Sequence, residues 1–184
     1  MFSNIKTRLS CGAKRLGRRF IRRQDGSAAI QFGLVAAPFL ALTFAIIETA
    51  LIFFAGQALE TAAADASRLV MTGQAQSQGF DAAKFKQAVC SKIYGLFDCA
   101  NGVYVDVKSY SNFASVDTSA PVTSGTLNTT TSYSPGGPGD IVVVRLLYQY
   151  PVYVNLLGFN LANLNGGKRL LMSTAAFRNE PYAN

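Results

Sequence analysis

The sequence predicts an α+β protein: a long N-terminal helix that crosses a membrane and continues into a small exported domain. That domain is expected to hold a short helix and about three antiparallel strands. Three observations carry the prediction. A basic block is followed at once by an apolar run of membrane-spanning length. The apolar spacing of three and four then continues well beyond that run. The remainder alternates short apolar stretches with Gly-, Pro- and Asn-rich connections.

The basic block holds all of the net charge of +7. Up to Gly26 it carries Lys6, Arg8, Lys14, Arg15, Arg18, Arg19, Arg22 and Arg23 against one acid, Asp25, and the rest of the chain is balanced. Lys and Arg stay on the cytoplasmic side of a span, so the chain is expected to hold its N-terminus inside and export its bulk. A Lys/Arg arm also suits nucleic acid. Here the aromatics among the charges are limited to Phe2 and Phe20, and no nucleic-acid partner is expected. Phe2, Ile5, Leu9, Leu16 and Phe20 fit one helical face, compatible with a leader lying along the inner leaflet. An Arg-rich, acid-poor start also describes a mitochondrial transit peptide, which would leave the following run as an inner-membrane anchor.

From Ser27 to Ala55 the strongly polar residues are Gln31 and Glu48. The uninterrupted stretch Phe32–Ile47 has 16 residues, longer than a cleavable signal core of about 7 to 15. Ser27–Ile47 supplies 21 residues, and about 20 are needed to cross roughly 30 Å. A retained transmembrane helix over 27–55 is the expectation, after a leader over 1–26 and before an exported domain over 56–184. Pro38 is tolerable within such a helix. Glu48 has two readings that the residues leave open: placement at the outer interface, or an intramembrane role in assembly.

Leu59, Ala62, Ala63, Ala66, Leu69 and Val70 keep the helical spacing, and Gly73 offers a stop. Unbroken from Ala28 to Thr72, the helix would be about 68 Å long. The outer half of its Ala-rich stripe is expected to seat the chain's own sheet. Gln74–Gly79 reads as a polar linker and Phe80–Phe97 as a helix, with Phe85, Ala88, Val89, Ile93 and Leu96 in phase. Val103, Val105 and Val107 alternate with polar residues as in a half-buried strand. Asp117–Gly139 is a long Ser/Thr/Gly/Pro surface loop ending in Pro135-Gly136-Gly137-Pro138-Gly139. Ile141–Tyr150 is apolar on both faces, as a central strand is, and Pro151 breaks or bends it. Asn155–Gly167 is an excursion, and Arg169–Phe177 a last strand.

Cys90 and Cys99 fall on the exported side, where such a pair forms a disulfide; two unpaired core thiols are the alternative. Cys11 lies alone on the reducing side. Histidine is absent, which removes His-based triads and most catalytic zinc sites. The glycines around Pro138 do not make a phosphate cradle, since proline removes an N–H where one is needed. The acids Asp81, Asp98, Asp106, Asp117 and Asp140 lack calcium-loop spacing. Asn128-Thr129-Thr130 matches a glycosylation sequon, a pattern frequent by chance. The chain is read as a non-enzyme with no cofactor.

Gly26-Ser27-Ala28-Ala29-Ile30-Gln31-Phe32, at the junction of basic and apolar sequence, resembles a prepilin processing site. Positions 22 to 73 resemble the TadE-like family, minor pseudopilins of the tight-adherence (Tad/Flp) pilus machinery. The resemblance rests on Pro38, Ile47-Glu48, Phe53-Phe54, Gln57-Ala58-Leu59, Ala66-Ser67-Arg68-Leu69 and Thr72-Gly73 in that order. The ending Arg178-Asn179-Glu180-Pro181-Tyr182 is more weakly similar to the family's C-terminus. The resemblance implies a pilin-like fold and cleavage between Gly26 and Ser27 by a prepilin peptidase. It also implies an inner-membrane location with a periplasmic domain, and partners among pilins, other pseudopilins and the inner-membrane assembly platform. Gln31 stands where the family usually has Glu, removing the charge that would offset a new N-terminal amine. An alternative from another class is a signal-anchored periplasmic binding or sensor module, with the 117–139 loop as its recognition element.

Overall fold

The computed structural model describes residues 25–93, 95, 98–154 and 160–182. The expected leader face with Cys11, the helical position Leu96 and part of the 155–167 excursion lie outside the described residues. Helix α1 runs Asp25–Met71, 47 residues with Pro38 inside it. The chain divides into two compact units after Ala45.

In the first unit α1 is bare. Ile30, Phe32, Leu34, Val35, Phe39, Leu40, Leu42 and Phe44 are all exposed. From Gly26 onward the helix reaches a mean hydropathy of 2.1, long and apolar enough by length and composition to cross a membrane. Pro38 cannot donate to the carbonyl four residues earlier, and one turn on Thr43 Oγ1 donates to the Phe39 carbonyl at 2.8 Å.

In the second unit the same helix carries one buried stripe: Glu48, Ile52, Ala55, Leu59, Ala62, Ala63, Ala66 and Val70. Four of these eight are alanines, so much of the stripe is built from small side chains. That sheet has three antiparallel strands, β1 (Val103–Tyr110), β4 (Ile141–Pro151) and β5 (Lys168–Arg178), in the order β1-β4-β5. Register pairs Val107 with Val144 and Val144 with Ala175. Val103, Val107, Val142, Val144, Leu146 and Leu171 join the α1 stripe in one core, with Phe85 and Val89 of α3 (Ala82–Cys90). An 11-residue strand covers about as much length as 22 helical residues, roughly 33 to 37 Å. The sheet therefore matches α1 from about Thr49 to Val70.

The central-strand reading of residues 141–150 holds, because both faces of β4 are covered. Ile141, Val143 and Leu147 point away from α1 yet are buried, as are Leu127 and Leu164 from the connections. The 117–139 segment is not a plain surface loop. It contains a hairpin, β2 (Val122–Thr123) with β3 (Thr126–Leu127), and Arg145 donates to its Asp117 carbonyl. Asn165 fastens the hairpin, donating from its backbone N–H to Gly125 at 2.8 Å and from its side chain to Ser124 at 3.0 Å. The outer edge of β1 is taken by residues 132–134: Val107 donates to Ser132 and Ser134 to Val107, both at 2.8 Å.

Two expected boundaries move. Gln74–Gly79 is not a linker throughout, since Gln74–Ser77 forms a single helical turn, α2, with Ala75 fully buried; four residues are too few to show periodicity. Helix α3 is shorter than residues 80–97, because the Asp81 carboxylate caps it through the Lys84 N–H at 2.8 Å and the chain turns after Cys90. A further short helix, α4 (Cys99–Gly102), precedes β1.

Cys90 ends α3, Cys99 opens α4, and the two are bonded. Closing so short a loop stabilises by about 2 to 3 kcal/mol. Replacing both with serine is expected to lower the denaturation midpoint accordingly while leaving the helical signal in circular dichroism intact. An unchanged midpoint would show the bridge to be energetically idle.

Candidate functional site

Gly26, Ser27, Gln31 and Phe32 occupy the opening turns of α1, and all four are exposed. A Cβ added at Gly26 meets nothing within 4 Å. Ser27 and Gln31, four residues apart, share a face. Glu48 is 17 residues beyond Gln31, about 25 Å along one helix, so α1 does not bring the two polar groups together.

Glu48 is 6% exposed. Its carboxylate accepts from the Tyr153 N–H at 2.5 Å and from the Val154 N–H at 3.1 and 3.0 Å, one distance to each oxygen. Pro151 ends β4 and the Val152 N–H still donates across to the Gly167 carbonyl at 3.0 Å; the two amides after it turn to the helix. Among the described residues the ion pairs are Lys92–Asp65 and Lys108–Asp106, so backbone dipoles rather than a cation offset the Glu48 charge. Burial raises the pKa of the nearby Tyr150 phenol, with the Glu48 charge as a lesser cause. The signal in the sequence was phase. Glu48 precedes Ile52 by four and Ala55 by seven, on the buried stripe itself.

A second polar cluster closes the opposite end of the domain. The Asn179 side chain, in a residue 3% exposed, donates to the Pro135 and Gly137 carbonyls, both at 2.9 Å. Its backbone N–H donates to Asp140 at 2.8 Å. Gln76 Nε2 donates to Pro135 at 3.1 Å, and the Glu180 N–H reaches the Met71 carbonyl at 2.9 Å. The Asp140 carboxylate takes the Gly137 N–H at 2.8 Å. The last strand, the glycine loop and the end of α1 are thus tied in one knot. Tyr182 completes it by covering Gly73, and burial together with the Asp140 charge raises its phenol pKa. The Tyr133 hydroxyl, packed by its ring against Phe85 at 5.4 Å, is pushed up to about 12, by burial first and then by Asp81.

In the first unit α1 opens on a Gly-Ser junction and carries exposed apolar side chains. In the second, Glu48 and the Asn179 cluster each tie the small domain to its stretch of α1. Residues 26–68 match the family model described as TadE-like protein. No curated protein and no solved structure matches the chain.

Proposed function

We propose that this chain, TadE-like over residues 26–68 and so associated with the Tad pilus, is a minor pseudopilin: a structural subunit of the pilus machinery. The observation that carries this reading is the coincidence of the family match with α1. The matched stretch begins at the Gly26-Ser27 junction, takes in the whole exposed apolar run, and ends within the stripe that seats the domain.

In this reading the protein sits in the bacterial inner membrane as a single-pass subunit, its basic leader cytoplasmic and its domain periplasmic. A prepilin peptidase removes residues 1–26, and the bare face of α1 then packs against helices of pilin or other pseudopilins at the inner-membrane assembly platform. Gln31 is exposed and uncharged, so the new amine at Ser27 gains a neutral hydrogen-bond acceptor one turn away in place of a carboxylate. Charge-assisted bonds are about twice as strong as neutral ones, so this subunit enters an assembly on different terms from a Glu-bearing neighbour. Gln31→Glu is expected to improve its incorporation.

Cleavage is the deciding test. Intact mass of the membrane-extracted protein should correspond to 158 residues beginning at Ser27. Gly26→Leu should leave the full chain, because a branched side chain occupies the position where the peptidase needs none. A full-length wild-type mass in cells that contain the peptidase would remove the pseudopilin reading and leave a signal-anchored periplasmic module.

A further inference from the structure

The apolar surface of α1 does not end where the domain begins. Between Asp25 and Glu60 the one ionisable residue is Glu48, and it is buried and bonded. Around it Ile46, Ile47, Leu51, Phe53 and Phe54 are 60%, 47%, 45%, 70% and 61% exposed. At 100° per residue they spread over about 160° of the helix, opposite the stripe of Glu48, Ile52 and Ala55. On the stripe side Tyr153, whose N–H holds Glu48, is 81% exposed. Apolar and aromatic surface therefore surrounds α1 at this level, with the exposed Lys168 beside it on the strand, opposite Pro151. Further along α1 the exposed positions turn polar, at Gln57, Glu60, Thr61 and Asp65.

The lengths are informative. Ser27–Ile47 gives about 31 Å of helix, the thickness of a hydrocarbon core, whereas Ser27–Phe54 gives about 42 Å, the thickness with both headgroup layers included. The part of α1 in excess of the core, Glu48–Phe54, is the part that already carries the domain. We infer that the base of the domain is a lipid-contacting surface: Leu51, Phe53, Phe54 and Tyr153 sit in the interfacial layer of the outer leaflet. This rests on α1 being the membrane span, and it adds that the folded domain is partly immersed rather than held clear of the bilayer.

Three observations become one under this inference. Tyrosine concentrates at bilayer interfaces, where its apolar ring and polar hydroxyl are both accommodated, and Tyr153 has that form; Phe53 and Phe54 add apolar area beside it. A carboxylate at that depth has little water, so two backbone N–H donors take its place. The apolar ring is continuous with the span and stops where the helix turns polar, as a lipid boundary requires.

The protein contains no tryptophan, so single-tryptophan variants of the full chain report cleanly. Phe39→Trp, Phe54→Trp, Tyr153→Trp and Phe113→Trp all replace exposed rings and leave the core untouched. Each is reconstituted in phosphatidylcholine–phosphatidylglycerol vesicles with bromine placed near the headgroup or near the chain ends. Tryptophan at 54 and 153 should lose emission to headgroup-proximal bromine, tryptophan at 39 to chain-end bromine, and tryptophan at 113 to aqueous iodide alone. If positions 54 and 153 answer to iodide and to neither lipid while 39 remains lipid-quenched, the immersed base is refuted and the span survives. If position 39 is also lipid-insensitive, the span reading falls with it. Shielding of 54 and 153 from bromine and iodide alike would assign the surface to another subunit and overturn the inference.

Discussion

Glu48→Ala is expected to destabilise the domain by about 3 kcal/mol, and Glu48→Gln by about half as much. Hydrogen bonds to a charged acceptor are worth about 1.5 to 3 kcal/mol, and a buried donor stripped of its acceptor costs a similar amount. Alanine leaves the Tyr153 and Val154 N–H groups facing a void beside α1. Glutamine keeps one oxygen for one of them. Urea denaturation of the chain in detergent, followed by limited proteolysis after β4, reads the difference, and Val152–Val154 should become the first cleavage site in the alanine variant. An alanine variant with an unchanged midpoint that still failed to support piliation would return Glu48 to a role between subunits. The two readings of this residue thus separate on stability rather than on assembly.

Gly73→Ala carries a comparable cost for a different reason. Gly73 has φ +74°, and a Cβ placed there would lie 2.4 Å from Cγ of Tyr182. The left-handed conformation alone costs a residue with a Cβ about 1 to 2 kcal/mol. Displacing the Tyr182 ring adds its lost packing, for a total of about 3 kcal/mol. Truncation after Glu180 separates the two parts. In that background the alanine should cost no more than the backbone strain, and thermal melts of the four combinations give the coupling. Equal penalties with and without the tail would mean that Tyr182 does not oppose the substitution.

The elements legible in the sequence are those whose pattern is long. The spacing of Leu59, Ala62, Ala63, Ala66 and Val70 marked the buried face of α1, and Gly73 marked its end. Ile141–Tyr150 announced a strand covered on both sides. What covers it was not legible, because Leu127 and Leu164 are single apolar residues inside polar, Gly-rich stretches, and their burial depends on Asn165 bridging two distant connections. The Asn179 knot was equally silent. Its acceptors are carbonyls of Pro135 and Gly137, which any sequence supplies, and a side chain bonding to backbone leaves no partner to look for. Glu48 lay between these cases: its phase was visible, whereas its donors sit more than a hundred residues away.

The strand order also sets a timetable. The central strand is made before β5, and β5 pairs with it along all 11 of its residues. Asn179 and Glu180, close behind, fasten the loop and the end of α1. A chain synthesised from its N-terminus thus has α1 available before any strand, yet it cannot close the sheet or the knot until β5 and the two residues behind it are free. Until then the β4 edge is open and part of the α1 stripe unfilled, so the domain is completed by its last strand rather than grown outward from its first.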